Sequence, residues 1–132
     1  MWKDDYLIGV EIIDIQHQSL FAKVAELADM VEAGVDKNKQ QIINSIMFLK
    51  KYALQHFSDE EAYQKSIRYK DFEEHQAQHK SFIKVVLQHE RKLKDSDFAE
   101  EEVQGFMHTL TTWVVFHVAN SDQKIVGKSV SV

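Results

Sequence analysis

The chain of 132 residues contains no cysteine and no proline, and it has only four glycines. Without cysteine it cannot form disulfides, thiolate zinc sites or cysteine nucleophiles, and this composition suits the reducing cytoplasm. Because proline is absent and glycine is rare, little interrupts long periodic segments, which favours an all-α fold. Also missing is the run of roughly 20 apolar residues that a membrane helix needs. We therefore expect one cytoplasmic domain spanning residues 1–132.

Positive charge is scarce and scattered along the chain. The 16 Lys and Arg residues stand against 21 Asp and Glu residues, which gives a net charge of -5. Because the basic residues lie among acidic ones and form no patch, nucleic acid and anionic membranes are disfavoured as partners. The first five residues, MWKDD, are acidic and no long apolar run follows them, so no secretory signal is expected.

Four segments carry apolar residues at the i, i+3, i+4, i+7 spacing of an amphipathic helix. The predicted helices run from about Asp14 to Glu32, from a cap at Asp36 to about Gln64, from a cap at Asp71 through Leu93, and from a cap at Asp97 to about Ala119. Residues 2–13 alternate weakly and are expected to form an extended arm, and the pattern is lost after Ala119. Short connections between long helices predict an up-down-up-down antiparallel four-helix bundle.

Seven polar groups interrupt these apolar stripes or lie just beyond them: His17, His56, Glu60, His75, His79, His117 and Asp122. A buried polar group without a partner costs about 1–3 kcal/mol, so their placement predicts a shared role. In an antiparallel hairpin, residues at equal distances from the turn lie at the same height. The midpoint of positions 17 and 56 falls in the first predicted turn, that of 60 and 75 in the second, and that of 79 and 117 at the third. The seven groups are therefore predicted to form one layer.

The spacing within each helix supports the same layer. Side chains four residues apart share a helix face, so Glu60 can lie beside the histidine at position 56, and the two histidines of the third helix can lie together. Glu61 points about 140° away from His56 and is a poorer candidate. His117 and Asp122 are five residues apart. This requires either a distorted helix or a carboxylate that reaches the layer from beyond the helix end.

Seven ligands exceed what one tetrahedral zinc ion uses, and imidazole suits Zn, Fe, Cu and Ni rather than Mg or Ca. We interpret the set as a two-metal site in which three histidines serve one ion and two serve the other, with the carboxylates between them. The second ion then keeps an open position, for which O2 is the natural ligand if the ions are iron. Only two of the seven ligands are anionic, fewer than in ferritin-like di-iron sites, which favours binding and release over oxidation chemistry.

These motifs resemble the prokaryotic branch of the hemerythrin family over essentially the whole chain. The shared features are the opening Trp2…Tyr6…Gly9, then Ile13-Asp14-x-Gln16-His17, His56-Phe57-x-x-Glu60-Glu61, His75-x3-His79 and Trp113-x3-His117-x4-Asp122. Many family members carry a tyrosine three residues beyond the last aspartate, where this chain has Ile125. This departure puts solvent access and the autoxidation rate in question.

The resemblance implies two iron ions joined by an oxo or hydroxo group that bind O2 reversibly and can also take NO, azide or other small anions. It assigns His75, His79 and His117 to one iron, His17 and His56 to the other, and Glu60 and Asp122 to both. It also implies that the five-residue spacing is normal. The candidates for an apolar O2 pocket are Leu20, Phe21, Phe57, Trp113 and Val118.

Three functions stay open at this point. Reversible O2 binding for storage, delivery or sensing leads, and a di-iron peroxidase, oxidase or nitric oxide reductase is the alternative. Signalling through a partner protein is the third. Because no Ser, Cys, Lys or spare carboxylate near the ligand motifs forms a proton-transfer set, we predict that the protein is not an enzyme. His89 lies about 15 Å further along its helix than His79, and His108 falls off the inward stripe, so both are left out of the site.

Overall fold

A computed structural model describes residues 1–128, and every regular element within that range is helical. The four long helices are α1 (Glu11–Ala33), α2 (Lys39–Ser66), α3 (Phe72–Asp95) and α4 (Glu100–Phe116). The prediction of an all-α fold with four helices is confirmed. Within residues 1–128, no helix combines the length and apolar character needed to cross a bilayer. Residues 129–132 of the predicted domain lie outside the described residues.

Each long helix contacts two others, so the four form a ring. Helix α1 packs against α2 and α4, and α3 packs against the same two helices. The connections 34–38, 67–71 and 96–99 are short, which is consistent with antiparallel neighbours in sequential order. Towards the first and third connections the interior is apolar, with buried side chains including Leu27, Ile42, Leu93 and Val103. The polar layer predicted from the sequence occupies the other end.

The N-terminal segment differs from the predicted extended arm. A single 3₁₀ turn covers Asp4–Tyr6, and α1 begins at Glu11 rather than at about Asp14. Outside that turn, Lys3, Leu7 and Val10 have extended backbone dihedrals. Asp14 lies within the first turn of α1, where its backbone N–H donates to the carbonyl of Val10 over 2.9 Å.

Asp14 anchors the N-terminal segment through its carboxylate, which is 9% exposed. Its Oδ1 accepts the backbone N–H of Ile8 over 2.8 Å, and its Oδ2 accepts that of Gly9 over 3.0 Å. Gly9 has a φ of 83°, in the left-handed region that glycine adopts without strain. The segment therefore reverses direction at Gly9 and is held against the start of α1.

Asp14→Ala is expected to lower the free energy of unfolding of the protein by about 1–3 kcal/mol, because it leaves two backbone N–H groups without their acceptor. Urea unfolding followed by circular dichroism measures the change. Glu11→Ala, at an exposed position of the same helical turn, serves as the control and should change stability little. Equal stabilities of the two variants would contradict the anchoring role of Asp14.

Two of the three predicted helix caps are wrong. Helix α2 begins at Lys39 rather than after Asp36, and α4 begins at Glu100 rather than after Asp97. Asp97 has a φ of 54°, which ends α3 instead of starting α4, and its carboxylate pairs with Nζ of Lys39 over 2.7 Å. The third predicted cap, Asp71, occupies the N-cap position of α3, but its side chain makes no capping hydrogen bond.

The end of the last long helix also differs from the prediction, which stopped the helix at about Ala119. Helix α4 continues into a π-helical turn, His117–Ser121, and then into a final α-helical turn, Asp122–Lys124. The backbone N–H of Asp122 donates to the carbonyl of His117, the five-residue hydrogen bond of a π-helix. Of the two explanations left open for the spacing of His117 and Asp122, the structure therefore has the distorted helix.

Candidate metal centre

All seven groups singled out by the sequence are buried and meet in one cluster. None is more than 6% exposed. They come from α1, α2, α3 and the turns that follow α4. Their side-chain atoms fall into two groups, in each of which every ligand atom lies within 4.8 Å of the others. One group contains Glu60, His75, His79, His117 and Asp122, and the other contains His17, His56, Glu60 and Asp122.

Glu60 belongs to both groups because its two oxygens face different histidines. Its Oε1 lies 2.8 Å from Nε2 of His75 and 3.1 Å from Nε2 of His79. Its Oε2 lies 3.3 Å from Nε2 of His17 and 3.3 Å from Nε2 of His56. The carboxylate therefore spans a group from α3 and a group from α1 and α2.

Asp122 spans the same two groups from the other side of the cluster. Its Oδ1 lies 3.0 Å from Nε2 of His75 and 3.2 Å from Nε2 of His117, whereas its Oδ2 lies 3.0 Å from Nε2 of His17. Two carboxylates thus stand between a set of three histidines and a set of two. The assignment of these two sets to two metal ions stays a prediction.

The donor set suits a cation. Five buried atoms of the cluster residues have no hydrogen-bond partner, namely Nδ1 and Nε2 of His17, Oε2 of Glu60 and both carboxylate oxygens of Asp122. Nε2 atoms of His79 and His117 also lie 3.1 Å apart. Converging lone pairs without donors are unfavourable in a buried site unless a positive charge is shared between them. Imidazole nitrogen with carboxylate oxygen is a set that binds iron well.

Gln16 orients the imidazole of His56. Its side-chain Nε2 donates to Oδ2 of Asp59 over 2.7 Å, which leaves its Oε1 to face Nδ1 of His56 at 2.7 Å. An amide oxygen only accepts, so Nδ1 of His56 is the donor. The lone pair of the ring is therefore on Nε2, which faces the cluster. Gln16 belongs to a motif noted in the sequence, but its role in orienting His56 was not predicted.

Glu61 orients the imidazole of His79 in the same way. Nδ1 of His79 donates to Oε2 of Glu61 over 2.8 Å, and Nε2 of Gln76 donates to the other oxygen, Oε1, over 2.9 Å. Sequence reasoning set Glu61 aside as a ligand, and the structure leaves it outside both ligand groups. Its role was missed because only its direction relative to His56 was considered, whereas it points towards α3.

Two aromatic rings hold the planes of the cluster's imidazoles. Phe57 stacks on His79, with ring centroids 4.0 Å apart and an interplanar angle of 11°. Trp113 stacks on His117, at 4.2 Å and 13°. These contacts restrict ring rotation, so the Nε2 atoms of both histidines stay directed at the carboxylates. His89, by contrast, bonds Oγ1 of Thr109 over 3.1 Å and does not join the cluster.

The carboxylates control the protonation of the metal-free cluster. Burial would lower the pKa of His17 and His75, but the close carboxylates of Asp122 and Glu60 outweigh it and raise the two pKa values to about 10 and about 9. Burial would raise the pKa of Glu60, but hydrogen bonds from the surrounding histidines lower it well below its usual range. At neutral pH the metal-free cluster therefore combines ionised carboxylates with imidazolium groups at His17 and His75, whereas burial lowers the pKa of His117.

Iron uptake is expected to release protons. At pH 7 the imidazoles of His17 and His75 lie below their pKa values of about 10 and about 9, so both are protonated in the metal-free protein. A ligand must give up that proton to bind a metal, so iron affinity should rise with pH between about 7 and 9. Calorimetric titrations of Fe(II) in buffers of different ionisation enthalpy would measure the protons released. A buffer-independent enthalpy would contradict this account.

An interior cavity of about 40 Å³ lies against the cluster. Helix side chains form its apolar walls, and His56, His117 and Asp122 lie along it. This volume exceeds what one water molecule requires, so the cavity has room for a small diatomic molecule. Four of the five residues predicted to form an O2 pocket line it: Leu20, Phe57, Trp113 and Val118.

The fifth predicted pocket residue, Phe21, does not line the cavity. Consecutive residues of a helix point about 100° apart, so Leu20 and Phe21 face different directions. The ring of Phe21 packs instead against Trp2 and Tyr6 of the N-terminal segment, at centroid distances of 5.2 and 5.6 Å. Phe21 is therefore a packing residue beneath that segment.

Comparison with known proteins agrees with the cluster's donor set. The family model for the hemerythrin HHE cation binding domain matches residues 8–128. A bacteriohemerythrin of Clostridium acetobutylicum is 33% identical over 129 residues, which cover 96% of this chain and 98% of the relative. A bacteriohemerythrin of Pseudomonas aeruginosa is 28% identical over 92% of this chain and 76% of the relative. A myohemerythrin of Theromyzon tessulatum is 26% identical over 96% and 91%. The chain therefore belongs to the hemerythrin family.

Proposed function

We propose that this protein binds O2 reversibly at a non-haem di-iron centre and acts as a carrier rather than as an enzyme. The observation that carries the proposal is the pair of carboxylates, each directed at both histidine groups. In the proposed assignment His75, His79 and His117 hold one iron, and His17 and His56 hold the other. Glu60 and Asp122 bind both.

The two iron positions differ in how many ligands the chain offers. Three imidazoles and two carboxylate oxygens face the first position, whereas two imidazoles and two carboxylate oxygens face the second. The second position is therefore the more open one. The interior cavity borders both positions, through His56 of the second and His117 of the first. Bound iron would supply the electrons and the coordination position that O2 requires. NO and azide would compete for that same position.

The cavity walls support binding without further chemistry. Of the residues that line the cavity, Lys50 is the single titratable one outside the cluster, and its Nζ pairs with Glu90 over 3.1 Å. A di-iron enzyme needs a positioned acid or base within hydrogen-bond reach of the reacting group. Apolar walls instead exclude water from the ligand, which suppresses side reactions. These features favour a carrier over a peroxidase or oxidase.

Storage, delivery and sensing share this binding step, and the proposal covers all three. The predicted cytoplasmic location and the predicted lack of nucleic acid partners stay predictions.

An oxygenation cycle tests the proposal. The purified protein is loaded with iron, reduced under argon and titrated with O2 while its visible spectrum is recorded. We expect a charge-transfer band that grows with O2, disappears when O2 is removed, and returns through repeated cycles. Immediate irreversible oxidation with release of peroxide would overturn the carrier proposal and favour the redox enzyme.

A further inference from the structure

A second cavity lies beside the first one, between α2 and α3. It has a volume of about 30 Å³ and apolar walls. Its outer edge includes Leu54 and Leu87, whose side chains are 44% and 46% exposed. Its inner wall consists of residues that also line the interior cavity: Lys50, Ala53, Phe57, Phe82 and Val86. These side chains therefore form the partition between the solvent-facing cavity and the one beside the cluster.

Ala53 is the smallest side chain in that partition. It lies one helical turn before Phe57, whose ring is held against His79 at 4.0 Å. On the α3 side, Phe82 is held against Trp113 at 3.9 Å. Because both rings are fixed by stacking, Ala53, with its single methyl group, is the partition residue whose side chain obstructs the least space.

The other side of the cluster has a different kind of opening. A surface hollow between α3 and α4 reaches Trp113 and His117 from outside. The ring of Trp113 separates this hollow from the interior cavity and stacks between Phe82 and His117, with an interplanar angle of 13° to each. A ring held on both faces cannot rotate aside without breaking two stacking contacts. The hollow has several polar side chains along it, such as Thr109 and Thr112, whereas Lys50 is the single polar residue among those that line the cavity between α2 and α3.

Lys50 borders the proposed passage without making it polar. The residue lines both cavities, and its ammonium group pairs with Glu90 of α3 over 3.1 Å. With the charge held at Glu90, the aliphatic part of the side chain is what can cover an apolar wall. The ion pair thus joins α2 to α3 beside the passage.

We propose that O2 reaches the cluster between α2 and α3, passing Leu54 and Leu87 and crossing the partition over Ala53. This inference rests on the proposed function and adds its access route. An apolar passage admits a neutral diatomic molecule, whereas an anion such as azide loses its hydration there without compensation. Neutral ligands should therefore pass along this route faster than anions do.

Ala53→Leu should narrow the passage. We expect the O2 association and dissociation rate constants, measured by stopped flow and by laser flash, to fall together by about tenfold, which corresponds to about 1.4 kcal/mol in barrier height. The dissociation constant should stay nearly unchanged, because a barrier on the route does not alter its end points. Ala62→Leu, at an exposed position of the same helix, is the matched control and should leave both rates unchanged.

Leu87→Ala provides a second variant at an exposed position, where folding is not at risk. It should raise both rate constants, while azide association with the diferric protein should change less than twofold in all variants. Unchanged O2 rates in both Ala53→Leu and Leu87→Ala would overturn the route. Equal slowing of O2 and azide in Ala53→Leu would also overturn it, since that indicates a general distortion.

Xenon gives a measurement that does not depend on O2 binding. Crystals of the iron-loaded protein under xenon pressure should show the gas in the cavity between α2 and α3, and Ala53→Leu should reduce its occupancy in the interior cavity. Absence of xenon from the cavity between α2 and α3 in the wild-type protein would contradict the route. If the wild-type protein fails the oxygenation cycle but xenon follows this path, the proposed function fails while the passage stands.

Discussion

Glu60→Ala is expected to remove iron from both positions of the cluster and leave about a tenth or less of the wild-type content. The reason is geometric, because Oε1 of Glu60 faces His75 and His79 while Oε2 faces His17 and His56. Each ion would lose one of only two anionic ligands. Iron per chain, measured by plasma emission spectroscopy after reconstitution and gel filtration, gives the result.

Two further variants make the Glu60 result interpretable. Glu60→Gln keeps the shape of the side chain but removes its charge, so it separates loss of a ligand from loss of packing. Glu73→Ala removes an exposed carboxylate of α3 and should retain full iron content. Circular dichroism shows whether each variant is folded. A folded Glu60→Ala protein that retains one tightly bound iron per chain would contradict the sharing of Glu60 by both positions.

Glu61→Ala is expected to lower iron affinity by about 10–100-fold without removing any ligand. Glu61 accepts a hydrogen bond of 2.8 Å from Nδ1 of His79 and lies outside both ligand groups. Its loss frees the imidazole to turn and removes a negative charge that makes the ring a better donor. Competition with a chelator of known affinity would measure the change.

Glu61→Gln separates orientation from charge. The amide retains an acceptor for His79 but carries no charge, so its iron affinity should lie between those of the wild type and Glu61→Ala. Gln16→Ala makes the corresponding change at His56, where the native acceptor is already neutral. If Glu61→Ala and Glu73→Ala bind iron with equal affinity, the orienting role of Glu61 is wrong.

The helices and the grouping of the seven side chains were predictable because both depend on spacing. Apolar residues at helical intervals identify the inner face of each helix. Because the midpoint of positions 17 and 56 falls in a short turn, the two residues lie at the same height in neighbouring antiparallel helices. These inferences need only the period of the helix and the antiparallel order of neighbours. Ligand number gave a split of three histidines and two, and the family resemblance implied which histidines belong to each set.

Features that depend on competing local contacts were not predictable in the same way. Aspartate is a residue type that often caps helices, so Asp97 was a reasonable candidate. Its backbone is left-handed, however, and its carboxylate pairs with Lys39, which is distant in the sequence. Phe21 has an apolar side chain suited to an O2 pocket, but its ring packs against the N-terminal segment instead.

The π-helical turn shows most clearly what local sequence spacing cannot predict. The five-residue interval between His117 and Asp122 indicated that something must deviate from an α-helix, but it did not decide between a distortion and a helix end. Gln123 contributes to the outcome, since its Nε2 donates to the carbonyls of Tyr6 and Val118 over 2.8 and 2.9 Å. A partner more than a hundred residues away in the chain is not visible in a local pattern.

The central claim is that two iron ions lie between the two histidine groups and share both carboxylates. Anomalous diffraction from crystals of the reconstituted protein at the iron absorption edge tests it directly. We expect two iron peaks, one bonded to His75, His79 and His117 and the other to His17 and His56, with Glu60 and Asp122 bonded to both. A single peak, or scattering at the zinc edge with none at the iron edge, would contradict it.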